Sequence, residues 1–305
     1  MLRRVQFGTG VCLALLMLAC GPSNTPTAPG STPTPNTGNP VVNQMLAGLT
    51  AQIASALATN QDNLARNPGS AAQIRAKISL LQRPTLASEI VTGGFYVTTT
   101  AGSTRGPVTI AAVFPLDSMR AEASAAVQQL SSALPILEQF MDRAFPTDAV
   151  RVWYGFAVGN SGGGGVINSE DQTSYESRTS ASRLPLEAIL DHELSHSYIS
   201  HEGLNQFLEI YQVNVVHTNS TDPASWTFAR TDVGQPPAST ASSAALLDVY
   251  RLVGRDSMAR AFRVVYPLNP PYGQPLSSAC KQAFVDQAPE DVKAQVAALM
   301  VNVVY

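Results

Sequence analysis

Apolar residues at helical spacing open the readable part of the chain: Met45, Leu49, Ile53 and Leu57 recur every four positions. Asn67-Pro68-Gly69 breaks the pattern, and Ile74, Ile78 and Leu81 restart it before Pro84 stops it. The expectation is a helical hairpin, an N-terminal helical segment over residues 41–90. Residues 91–114 change character. Positions 95–100 (Phe-Tyr-Val-Thr-Thr-Thr) and 108–114 are rich in β-formers, and the glycines at 102 and 106 supply a turn between them. A helix is expected over 116–144, interrupted near Pro135. Residues 150–158 read as the clearest strand, and four glycines, 162–165, lead into Val166-Ile167. Helical spacing returns over 184–200 and 204–216, a polar stretch fills 217–240, and the remainder is helical apart from a Pro-rich loop at 267–275. No internal repeat is present.

The chain's start follows a different rule. Arg3 and Arg4 precede an apolar run, 11–19, that is too short to span a bilayer as a helix, so residues 1–20 read as an export signal. The run ends Met17-Leu18-Ala19-Cys20, a small residue before Cys, which resembles the lipobox of bacterial lipoproteins. That resemblance implies a lipidated Cys20, membrane attachment through the lipid and a place in the bacterial cell envelope. Residues 21–40 hold Pro, Thr, Gly, Ser and Asn with only Ala28 as an apolar side chain, a disordered tether that cannot bury enough surface to order itself. Beyond Cys12 and Cys20 only Cys280 remains, so no intramolecular disulfide staples the domain.

Composition narrows the partners. Charged residues are 13% of 305, about half the usual ~25%. A net charge of -3 offers no basic face, so nucleic acid is excluded as a partner.

The candidate chemistry sits in Asp191-His192-Glu193-Leu194-Ser195-His196, an HExxH pattern. Residues four apart lie one above the other on a helix, so two imidazoles at that spacing converge on one metal ion. The Glu between them is rotated by about 100° and reaches a water instead. Leu186, Leu190, Leu194 and Tyr198 form an apolar stripe roughly opposite the two His. Three of the chain's four His fall within residues 192–201. A catalytic zinc site has three protein ligands and one open position. His201, Glu202 and Glu209 are the nearby candidates for the third.

HExxH followed by Glu202-Gly203 and, later on the same helix, Phe207 and Glu209 resembles the gluzincin metallopeptidases, in particular the aminopeptidase N-like group. The resemblance covers roughly residues 140–300. It implies Zn2+ held by His192, His196 and Glu202, with Glu193 as general base and Glu209 as a supporting acid. It implies a fold of the α+β class, a thermolysin- or gluzincin-like domain over 91–305. In it a small mixed sheet sets its edge strand beside the HExxH helix, and the C-terminal part is mostly helical. Gly163, Gly164 and Gly165 would hold a peptide or protein substrate as an added strand. Two departures stand out. Only five residues separate His196 from Glu202, which demands a sharp turn near Ser200, and the glycine loop holds no acid to grip a substrate amino terminus. A metzincin pattern fails at Ile199 and Glu202. The expected activity is zinc-dependent peptide hydrolysis; the alternative is a non-catalytic lipoprotein of the same fold that binds a partner. Tyr198, Tyr211, Tyr266 and Tyr272 are the candidates for a transition-state tyrosine.

Overall fold

The computed structural model describes residues 36–178, 186–220, 222–226 and 237–304. The expected leader, Cys20 and most of the expected tether lie outside the described residues. Residues from Thr34 onward form one compact unit of mixed α and β structure.

Four helices come first: α1 (Pro40–Ala47), α2 (Leu49–Arg66), α3 (Ala71–Leu81) and α4 (Leu86–Gly93). Asn39 caps α1 by accepting from the N–H groups of Val41 and Val42. Two helices were expected here: the first is split at Gly48 into α1 and α2, bent by 58°, and the fourth lies beyond the expected stop at Pro84. Its β-branched Val91-Thr92 resembles a strand start, yet Leu86 and Ile90 are buried at i, i+4 and Gly94 ends the helix at φ +60. The expected boundary at residue 90 falls inside this helix.

A five-stranded sheet follows, built from β1 (Tyr96–Ala101), β2 (Val108–Val113), β3 (Ala149–Tyr154), β4 (Ser161–Gly163) and β5 (Val166–Ser169) in the order β1-β2-β3-β5-β4. The first pair is antiparallel, β2, β3 and β5 are parallel, and β4 returns antiparallel as an edge. Parallel β2 and β3 need a crossover, and helix α5 (Arg120–Met141) provides it. Side chains alternate across the sheet. Val108, Ile110 and Ala112 enter the core under α5, whereas Ala111, Val113 and Trp153 pack with Val42, Met45 and Leu86 of the N-terminal helices.

Two expectations are corrected here. Pro135 does not interrupt α5: it lies on the exposed face, while Leu134 and Leu137 hold the helix into the core on both sides. The third strand ends at Tyr154 and not at Val158, because Gly155 turns the chain at φ +76. There its carbonyl accepts from Lys77 Nζ at 2.7 Å, and the same ammonium pairs with buried Asp171.

Among the described residues the elements that follow are helices: α6 (Gln172–Arg178), α7 (Leu186–Ser195), α8 (Glu202–Gln212), α9 (Pro237–Val265, broken at Gly254), α10 (Ser278–Gln287) and α11 (Lys293–Met300). Among the described residues no single helix is long and apolar enough to cross a membrane.

Candidate metal centre

Helix α7 is pinned before it carries any chemistry. Leu186, Leu190, Leu194 and Tyr198 are all buried in the core. Asp191, fully buried behind the motif, accepts from Gln129 Nε2 of α5 at 3.1 Å on both oxygens. The helix ends earlier than its pattern predicts. His196 N–H still donates to His192 O at 3.3 Å, so the helical turn reaches the second His. Then Ser197 and Tyr198 close tight three-residue bonds onto Leu194 and Ser195. This reversal replaces the expected helix to Ser200. It lets the short connection work: His201 caps α8 by accepting from Leu204 N–H, and Glu202 becomes the first residue of α8.

The reversal brings three donor groups together. His192 Nε2 and His196 Nε2 are 3.0 Å apart. One Glu202 oxygen lies 3.5 Å from His192 Nε2 and the other 3.5 Å from His196 Nε2. A tetrahedral ion with bonds of about 2.0–2.2 Å separates its ligand atoms by about 3.3 Å, so this triangle fits one. Glu193 joins the two His in a cluster whose donor atoms lie within 4.8 Å of one another.

The rear of the site orients the rings. Glu209 Oε2 sits 3.0 Å from His192 Nδ1, on the far side of the ring from Glu202. The Asn205 amide lies 2.6 Å from His196 Nδ1 and also donates to Ile199 O. The Glu209 carboxylate beside Nδ1 of His192 favours the tautomer that leaves that ring's Nε2 free to ligate, whereas the Asn205 NH2 at His196 Nδ1 is a donor and only places the second ring. Gln206 Nε2 donates to Glu202 Oε1 at 3.1 Å, and Ser243 Oγ of α9 donates to Gln206 Oε1. Burial alone would raise the Glu202 carboxyl, but the two imidazoles hold it well below the usual carboxylate range. The N-terminal end of α8 favours that charge too. His201 is different: burial pushes its imidazole down to about 4, against the pull of Glu202, so it caps α8 as a neutral ring.

The three donors open into a cleft of about 350 Å³ that β4 and Tyr272 also line. Asn160, Ser161, Gly162, Gly163 and Gly164 form the strand wall. Of the expected substrate glycines, Gly163 and Gly164 line the cleft and Gly165 does not. Gly165 is buried, with its N–H on Ser197 Oγ and its carbonyl on Arg151 N–H. Its φ of +76 places a would-be Cβ against Thr147 and Ala149, a packing reason for glycine there. Gly162, not singled out by sequence, lets β4 touch α7: a Cβ there would collide with the Glu193 backbone. Asn160, Ser161 and Ser200 also line the cleft, and no spacing rule marks them. Among the four candidate tyrosines, Tyr272 is the cleft residue, its ring centroid 6.3 Å from that of His196. Tyr198 donates to Arg143 O, Tyr211 accepts from Arg255, and Tyr266 stacks under Arg143.

No protein-family model and no curated protein matches the chain. Among solved structures it is similar to that of Legionella pneumophila aminopeptidase A in complex with aspartic acid. The TM-score is 0.48 at 13% identity, over 67% of this chain and 28% of that one. The chain therefore spans under a third of that protein's length.

Proposed function

We propose that the protein is a zinc metallopeptidase of gluzincin type, exported and held at the cell envelope by a lipid on Cys20. The observation that carries this reading is the triangle of His192 Nε2, His196 Nε2 and the Glu202 carboxylate, with Glu193 beside it at the floor of an open cleft. His192, His196 and Glu202 would hold the ion. A mixed sheet with an antiparallel edge strand against the motif helix supports the fold assignment.

Zinc supplies Lewis acidity, lowering the pKa of water from 15.7 towards ~7 and polarising a carbonyl. The chain does the rest. Glu193 accepts the proton of the attacking water on its carboxylate and returns it to the leaving amine. The β4 edge holds substrate backbone at close range, since Gly162 and Gly163 present no side chain. Gln206 steadies Glu202, while Glu209 and Asn205 steady the imidazoles.

The test is direct. Purified protein should bind about one zinc per chain and cleave unstructured peptides, with chelator abolishing cleavage. Glu193→Gln should keep the zinc and lower turnover by about 10²–10⁴. Full zinc occupancy with no hydrolysis of any peptide would leave a non-catalytic binding protein. For export, Cys20→Ser should move the protein from the membrane to the soluble fraction; continued attachment would refute the lipid anchor.

A further inference from the structure

Residues 155–160 connect β3 to β4 and deliver Asn160 and the first β4 residue, Ser161, to the cleft. They belong to no helix or strand, so their backbone polar groups need partners from elsewhere. Phe156 and Val158 are buried, which makes a missing partner costly. Helix α2 supplies the partners. Asn60, fully buried, donates through Nδ2 to Phe156 O at 3.0 Å and accepts on Oδ1 from Val158 N–H at 3.0 Å. Asn63 Nδ2 donates to Val158 O at 2.7 Å. One helix thus holds Val158 at both its N–H and its C=O, as a neighbouring strand would.

The same face of α2 reaches further. Gln52, Ala56, Asn60 and Asn63 follow one another at spacings of four, four and three, which places them on one side of the helix. Gln52 Nε2 donates to Asn168 Oδ1 of β5 at 2.9 Å, and Asn168 Nδ2 donates to Ser161 Oγ at 3.2 Å. At the start of the connection Lys77 Nζ of α3 donates to Gly155 O. At its end Glu170 accepts from Gly159 N–H at 3.2 Å and from Asn160 Nδ2 at 2.9 Å. Packing helices on a sheet does not call for such a polar face. Met45, Leu49, Leu86 and Ile90 of the same helical segment share an apolar core with Ala111, Val113 and Trp153 of the sheet.

We propose that α2 is a positioning element of the cleft: its Gln52, Asn60 and Asn63 clamp residues 156–161 and so set where Asn160 and Ser161 stand relative to the metal ligands. That the cleft receives a substrate rests on the peptidase reading above; the clamp itself does not. On this assignment the N-terminal helical segment belongs to the working site, and Asn60 and Asn63 act through the wall they hold.

The test compares three single variants of the purified, zinc-loaded protein: Asn60→Leu, Asn63→Ala and Asn63→Gln. Asn60→Leu keeps the side chain's shape and removes the three hydrogen bonds of its amide. Asn63→Ala removes a single bond at a half-buried position and serves where Asn60→Leu does not fold. Backbone amide exchange over residues 155–163 should rise about tenfold in both, with protection in α7 and α8 and zinc affinity unchanged. Asn63→Gln restores a donor and should recover most of the protection. In peptide cleavage by Asn63→Ala, KM should rise about fivefold while kcat stays close to that of the wild type. Exchange that is unchanged over 155–163, or that rises equally in α7 and α8, overturns the clamp. So does a loss confined to kcat at unchanged KM, the mark of a smaller folded fraction. A wild type that binds one zinc and cuts no peptide overturns the peptidase reading, and the exchange pattern then decides the clamp by itself.

Discussion

Helices α5 and α8 are both packed into the interior, and they are buried for opposite reasons. The buried face of α5 is Ala123, Ala126, Val127, Leu130, Leu134, Leu137, Phe140 and their neighbours, with one acid, Glu138. That acid closes a loop: it accepts from Ser103 Oγ and from the N–H groups of Thr104 and Phe145. On α8 all eleven residues are buried, and five of them are Glu202, Asn205, Gln206, Glu209 and Gln212. Leu204, Phe207, Leu208 and Tyr211 pack the other side, where Phe140 of α5 meets Tyr211 at 4.4 Å between ring centroids. Removing polar groups from water costs free energy unless each finds a partner. The polar side of α8 spends most of its partners on two imidazoles. Stability alone would be served better by Leu at those positions, so that face reads as a device for holding His192 and His196 in place.

The comparison predicts different consequences for damage on each side. The largest effect should come from His192→Ala or His196→Ala, which should take bound zinc from about one per chain to near none in elemental analysis after dialysis. Retention of full zinc would mean that the polar face serves something other than a metal.

Next in size should be Lys77→Met, which strands a buried carboxylate and should cost about 3–5 kcal/mol in denaturant unfolding. Burial raises the Asp171 carboxyl, but the Lys77 ammonium and Ser174 hold it below the usual range. Its native value is depressed, so its stabilisation is present above the unfolded value of about 3.9 and is lost as pH falls through the native one. The wild type should therefore lose stability in acid more steeply than Lys77→Met, and parallel acid profiles would remove this pair from the ledger.

Leu134→Ala on α5 should cost about 2–5 kcal/mol and leave zinc affinity unchanged. A matching loss of zinc affinity would show that the two helices do not divide the labour. The smallest effect should be Glu209→Gln: unfolding in the metal-free state nearly unchanged, with zinc affinity down about 10–100-fold in chelator competition.

Much of the scaffold was legible because its signals are local. The four-residue apolar repeats of α2, α3 and α7 and the β-branched runs of β1 to β3 follow from the periods of helix and strand. The errors have physical causes. Pro135 was tolerated because its missing bond lies on the exposed face of a helix held by its neighbours. The fourth helix hid behind β-branched residues, which packing overrode. Gly155 ended a strand that composition alone would have continued to Val158.

The motif and its division of labour belong to the sequence by itself. HExxH on a helix puts two imidazoles on one face and a carboxylate beside them whatever the rest of the chain does, since the spacing is a property of the helix. Which of His201, Glu202 and Glu209 faces the shared Nε2 point is a property of the fold. A turn of six residues between two helices can present any of the three, and only the packing of α8 against α7 and α5 selects. It sets Glu202 against both Nε2 atoms, Glu209 against Nδ1 of His192, and His201 in a cap. The same holds for the cleft. Its walls come from residues 160–164, 200 and 272, brought together by the edge position of β4 and a distant loop, and no local period carries contacts across that distance.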